Sequence, residues 1–202
     1  MSVHDVHRIR FLQILGINIF VFLAELAVAL YSGSLTMLSD SLHVSIHILA
    51  PFLAYISEFE FLGFSGPIIK KWTAGMNILL FFVLVGAISH EALGRLGNAP
   101  DLRIGWLFFV VAVLGLVANI YCAKLLYSID DDECRENIKP LFWHMIFDGA
   151  GSVVLIVGAV IMYLTGLYVL DPILSLVLAI LIVLGAVTMA RDLLRGHSHN
   201  NH

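Results

Sequence analysis

Charge is scarce in this chain. Only 13% of its 202 residues are Asp, Glu, Lys or Arg, while 60% are hydrophobic. A soluble core of this size does not need so much apolar content, so the composition indicates a polytopic membrane protein. Basic patches interleaved with aromatics are missing, which argues against a nucleic acid partner. Cysteine is nearly absent: Cys122 lies in an apolar run and Cys134 in an acidic segment. Neither forms a CxxC pair, so both are read as free thiols and no disulfide framework is expected. A small-residue cleavage site is also lacking behind the first apolar run. The stretch 11–31 is long enough to span a bilayer and is therefore read as a retained helix, not a signal peptide. The net charge of -4 says little, because the charges sit in loops.

Apolar runs of about 20 residues, the length that crosses a bilayer, occur six times. They cover roughly 11–31, 35–57, 73–94, 104–127, 140–164 and 171–190. The fold class predicted is all-α, with six transmembrane helices and both termini cytoplasmic. Ser32-Gly33-Ser34 is a tight turn, Pro51 is expected to kink the second span, and 63–67 reads as a loop or short interfacial piece. Gly97-Asn98-Ala99-Pro100 breaks the chain after the third span. Asp130 to Glu133 reads as a solvated acidic loop, and Asp171-Pro172 opens the sixth span. With the N-terminus inside, the inner segments hold Arg8, Arg10, Lys70, Lys71, Lys124, Arg135, Lys139, Arg191 and Arg195. The outer segments hold only Arg95 and Arg103, a distribution that follows the positive-inside rule. The organisation predicted is a cytoplasmic segment over 1–10, a transport domain over 11–190 and a short His-containing tail over 191–202.

Within this apolar background stand a few ionisable residues that are costly to place in lipid and are seldom idle there. His43 and His47 are spaced i, i+4 on the second span, and His144 and Asp148 repeat that spacing on the fifth. Each pair shares one helix face. Together they offer three imidazole nitrogens and a carboxylate oxygen, a donor set that suits a tetrahedral divalent ion such as zinc. The plain alternative is a set of buried polar residues tying helices together. Histidine gains a proton near neutral pH, so metal release can be coupled to proton uptake. Asp40 is either a partner that orients a ligand histidine or a helix-capping acceptor. Asn18 and Glu25 share a face of the first span, and Asn119 lies in the fourth. These are read as interhelical hydrogen bonders, with Glu25 as a possible member of a cation path. His90-Glu91 reads as interfacial. Gly149, Gly151 and Ser152 are expected to let the fifth helix pack closely on a neighbour.

Ser32-Gly33-Ser34-Leu35 leading into Asp40 and His43, together with His144-Met145-Ile146-Phe147-Asp148-Gly149-Ala150-Gly151-Ser152, resembles the cation diffusion facilitator family of zinc-efflux transporters. Glu25, Glu91-Ala92, Asn119 and Asp171-Pro172-Ile173 add to the resemblance, which runs from about Asn18 to Asp192. It implies a six-helix transporter, usually a homodimer. Such a protein exports Zn²⁺ or a related divalent ion from the cytoplasm in exchange for protons, with the transport site carried onto His43, His47, His144 and Asp148. Two departures stand out. The family usually has an aspartate where this chain has His47, so a dication here keeps a net charge of +1 unless Asp40 or Glu25 offsets it. The richer nitrogen set favours Zn²⁺, Co²⁺ or Ni²⁺ over Mn²⁺ and Mg²⁺. The family's usual cytoplasmic C-terminal domain also has no counterpart in the sequence, so dimerisation is expected to rest on transmembrane contacts.

The expectation is thus a transporter of Zn²⁺, with Co²⁺, Ni²⁺ and Cd²⁺ as further candidates. The metal would be cargo exchanged against protons in a cell (inner) membrane, with no cofactor. Two other readings remain open at this stage: an intramembrane metalloenzyme with Asp40 as base, and a non-transporting subunit that uses the metal as a clip.

Overall fold

A computed structural model describes the backbone over residues 3–58, 66–98, 100–127 and 132–199. Within that backbone the side chains of 9–10, 12–45, 48, 79–98, 100–125, 146, 148–184 and 187 are described. Among these residues there are six helices and no strands: α1 (Val3–Ser32), α2 (Leu35–Glu58), α3 (Gly66–Arg95), α4 (Trp106–Tyr127), α5 (Asp132–Thr165) and α6 (Leu170–His199). The described parts of α1, α4 and α5 each hold a stretch long and apolar enough to cross a membrane, over Leu12–Ser32, Trp106–Leu125 and Asp148–Thr165. The protein is thus an all-α polytopic membrane protein. Its large apolar side chains point outward in number, including Phe20, Leu30, Phe82, Trp106 and Leu164. Such a surface is stable against lipid and not against water.

Several helices run past the expected spans. Gly66 and Pro67 form the first turn of α3 and are not a loop, as suits a proline whose missing N–H costs nothing at a helix start. Asp132 and Glu133 likewise begin α5, while 128–131 lie outside the described residues. Helix α2 continues through Pro51 to Glu58.

Helix α1 packs on α2 and α4, α4 on α5, and α5 on α6. Helix α3 packs on α2 and α6, and α2 touches α5 over a short stretch. Lipid removes the hydrophobic drive between helices, so close packing has to hold them. Small residues make that possible. A Cβ at Gly158 on α5 would collide with Leu174 of α6, and one at Gly151 would sit 3.2 Å from Leu178 Cδ2. Val28, Ala29, Met37, Phe108, Val111, Ala112, Leu155 and Ala159 form one buried apolar cluster between α1, α2, α4 and α5. Phe109 meets Tyr163 edge to face at 5.9 Å beside it.

One end of the bundle is tightly braced. Gly33, at φ +75°, ends α1 by donating to the Ala29 carbonyl at 2.9 Å. Gly166, at φ +69°, ends α5 in the same way on Met162. The Arg103 N–H donates to Ser32 O at 3.0 Å, and Arg95 Nη1 donates to Gly33 O at 2.8 Å. Arg95 also pairs with Glu91, and the Arg103 guanidinium lies over the Tyr31 ring. A Cβ at Gly33 would find room, with Leu102 Cδ2 at 3.8 Å, so only the backbone conformation resists substitution. Gly33→Ala is expected to cost about 1–2 kcal/mol and to lower the thermal midpoint in detergent, followed by tryptophan fluorescence, by a few degrees.

Candidate metal site

Below the apolar cluster, α2 and α5 present His43 and Asp148 to each other. His43 Nε2 and Asp148 Oδ1 are 2.9 Å apart, and both side chains are buried. Two ligands on one tetrahedral zinc lie about 3.4 Å apart at ordinary bond lengths. An opening of about half an ångström therefore turns this hydrogen bond into a chelating pair. The start of α2 and the end of α5 lie at the same end of the bundle, so the two helices run antiparallel. Position 47 lies one turn along α2, and position 144 one turn back along α5. Both steps lead away from the braced end. The register that joins His43 to Asp148 therefore brings the other two positions to one level. The side chains of His47 and His144 lie outside the described residues. Among the described residues no group of three or more His, Cys, Asp or Glu side chains forms a ready metal cluster.

Neighbouring helices supply the surroundings. Asn119 Nδ2 on α4 donates to Ser152 Oγ at 3.3 Å, and Ser152 Oγ donates to the backbone carbonyl of Asp148 at 3.3 Å. This chain ties the turn that carries Asp148 to α4, so Asn119 makes the interhelical hydrogen bond expected of it, and Ser152, expected only to allow close packing, is its partner. Asn18 is buried on α1. Glu25, also on α1, is 2% exposed, and its Oε2 has no hydrogen-bond partner among the described residues. Its carboxyl lies against α4 where Gly115 leaves space, and a Cβ there would collide with Oε1. Glu25, Asp40 and Asp148 are near enough to feel one another's charge, and Asp40 also acts on His43. A carboxyl buried in apolar surroundings calls for a proton or a cation, and two of the three, Asp148 and Asp40, act on His43.

The capping role considered for Asp40 is not found. Asp40 sits a full turn inside α2, and other residues satisfy the free N–H groups of the first turn. Ser34 Oγ accepts from Met37 N at 3.2 Å. The remaining acceptor comes from α6: Leu35 N donates to Asp171 Oδ2 at 2.7 Å and Thr36 N to Asp171 Oδ1 at 3.1 Å. Ser34 Oγ adds a bond to Oδ1 at 2.6 Å. In the sequence Asp171 opens the sixth span and adds to the family resemblance, and neither points to α2. The available signal was an aspartate just ahead of proline at a helix start, which ordinarily caps its own helix. His90 and Glu91 are exposed near the end of α3, as expected of an interfacial pair.

The family model described as the cation efflux transmembrane domain matches residues 72–196. The zinc transporter ZitB of Escherichia coli (strain K12) is 29% identical over 194 residues, covering 91% of this chain and 60% of that protein. The ZitB of Yersinia pseudotuberculosis serotype I (strain IP32953) is 27% identical over 173 residues, covering 80% and 53%. The cadmium, cobalt and zinc/H(+)-K(+) antiporter of Bacillus subtilis (strain 168) is 27% identical over 166 residues, covering 82% and 53%. The chain thus spans between about half and three-fifths of the length of these relatives.

Proposed function

The chain belongs to the cation efflux family, and on that premise we propose that it carries zinc or a related divalent ion out of the cytoplasm in exchange for protons. The observation that carries the reading is the buried His43–Asp148 pair, which joins two antiparallel helices inside an apolar bundle. We assign His43, His47, His144 and Asp148 as the transport ligands, with Asp40 and Glu25 supplying negative charge and Asn18 and Asn119 lining the surroundings. The relatives are named as transporters and antiporters, which favours transport over the metalloenzyme and clip readings.

The braced end carries Arg95 and Arg103, and the other nine Lys and Arg residues belong to segments at the opposite end. By the positive-inside rule the braced end faces outward and both termini face the cytoplasm. Names of bacterial relatives support a cell (inner) membrane. Assembly as a homodimer through transmembrane helices remains part of the proposal.

Histidine must be neutral to bind metal, so affinity falls as pH falls. Acid on the outer side promotes release and the higher inner pH promotes loading. In proteoliposomes with a metal-sensitive dye, zinc flux is expected to rise with an imposed proton gradient and to acidify the compartment that loses zinc. Flux that ignores the gradient would remove proton exchange from the reading. Absence of flux with zinc still bound would return the weight to a structural clip.

A further inference from the structure

We infer that the groove between the inner halves of α1 and α4 holds an anionic phospholipid of the cytoplasmic leaflet, with an acyl chain between the helices and the phosphate on Arg10 and Lys124. The choice of leaflet rests on the orientation proposed above, and the site itself on geometry. The groove has a volume of about 520 Å³, and its walls include Leu12, Gly16 and Phe20 of α1 and Leu114, Ala118 and Tyr121 of α4. A Cβ at Gly16 would meet nothing within 4 Å. Leu12, Phe20 and Tyr121 are exposed, so the groove opens on the side that faces lipid.

The length of the groove matches one leaflet. The apolar spans of the two helices, Leu12–Ser32 and Trp106–Leu125, have their middles close to Val21 and Gly115. The helices are level there, because a Cβ at Gly115 would lie 3.8 Å from Val21 Cγ1. They run antiparallel, since the Arg103 N–H just before α4 donates to Ser32 O at the end of α1. From Gly115 to Lys124 is about 14 Å of helix, and from Val21 to Arg10 about 17 Å. Half of a hydrocarbon core of about 30 Å is about 15 Å. Both cations therefore stand at the depth of the phosphates of that leaflet. They also share the faces that line the groove: Arg10 is one turn before Gln13 and Lys124 one turn beyond Tyr121, and Gln13 and Tyr121 are both lining residues. Lys124 is exposed and Arg10 half-buried.

Any lipid chain can fill an apolar groove, because lipid tails are as apolar as leucine. Selection comes from the two cations. A phosphate level with a guanidinium and an ammonium gains charge-assisted hydrogen bonds, and the five donors of a guanidinium can serve a phosphate beside other partners. A zwitterionic headgroup brings a cation of its own to the same place and gains less. A second copy of the chain fits less well, since two-fold symmetry about the membrane normal would set the same cations against each other.

The test is native mass spectrometry of the full chain in detergent, offered equal amounts of phosphatidylglycerol and phosphatidylcholine with identical acyl chains. Wild type is expected to retain phosphatidylglycerol over phosphatidylcholine by about ten-fold. In Arg10→Gln/Lys124→Gln the preference is expected to fall to within about two-fold. Gly16→Leu, whose side chain enters the open space of the groove, is expected to lose the retained phosphatidylglycerol although both cations remain. Equal retention of the two lipids by wild type would overturn the proposal without recourse to any variant. A preference that survives either Arg10→Gln/Lys124→Gln or Gly16→Leu would overturn it as well. So would a dimer in detergent that Gly16→Leu breaks, which would give the groove to a second copy. Zinc flux plays no part in the measurement, and detergent has no leaflets, so these outcomes stand apart from the transport reading.

Discussion

Asp148→Ala is expected to reduce zinc flux by at least about 100-fold, since removing even a partner of a metal ligand costs about 10–100-fold in affinity. The expectation is sharper than a general loss of function, because Asp148 is both the proposed ligand and the hydrogen-bond partner of His43. Asp148→Asn keeps the size of the side chain and an acceptor oxygen but removes the charge. If charge is what holds the dication, Asn fares nearly as badly as Ala. If geometry dominates, Asn recovers much of the binding. Zinc titration calorimetry in detergent separates the two without depending on transport, and native-rate flux in Asp148→Ala would show that the ion does not use this residue.

Glu25→Gln carries the second large effect. With histidine at position 47, three imidazoles and one carboxylate leave a dication one charge short of neutrality. Glu25 is a buried carboxyl within reach of the Asp148 charge, with an oxygen that has no hydrogen-bond partner among the described residues and a space beside Gly115 to occupy. One unit charge acting through an effective dielectric of about 20 at several ångströms is worth about 2 kcal/mol, which is about tenfold or more in affinity. Glu25→Gln is therefore expected to weaken zinc binding about tenfold or more, and the added substitution His47→Asp is expected to recover most of that loss. Two independent losses, with no recovery in the double variant, would separate Glu25 from the charge balance of the site.

Much of this was legible in the sequence, for identifiable reasons. Six apolar runs announced six helices, because a bilayer fixes how long such runs must be. The i, i+4 spacing of His43 with His47 and of His144 with Asp148 set one pair on each of two helices, and the structure brings one member of each pair, His43 and Asp148, together. Helix boundaries were legible only where polarity changed. Asp132 to Lys139 carries no apolar signal, yet it continues the helix of Asp148 toward its N-terminus, because helix propensity does not require burial. Asp40 allowed two readings in the sequence, a partner that orients a ligand histidine or a helix cap. Other residues cap α2, and Asp40 sits a full turn inside it. The residue that does cap α2 was hidden by distance: nothing in the local sequence of Ser34 to Met37 points to a carboxylate on another helix.

That distance has a consequence for how the protein is made. Asp171 lies 135 to 137 residues beyond the groups it satisfies. During synthesis the second helix enters the membrane with the donors of its first turn incomplete, and only the arrival of the sixth completes them. Until then the turn depends on Ser34 and on water or headgroups near the membrane face. A nascent chain or fragment that stops before Asp171 has every ligand assigned here and lacks the fixture that sets their depth. Without it the first turn of α2 lacks the contact that fixes it on α6, and the arrival of α6 is what completes the packing of the helices already inserted.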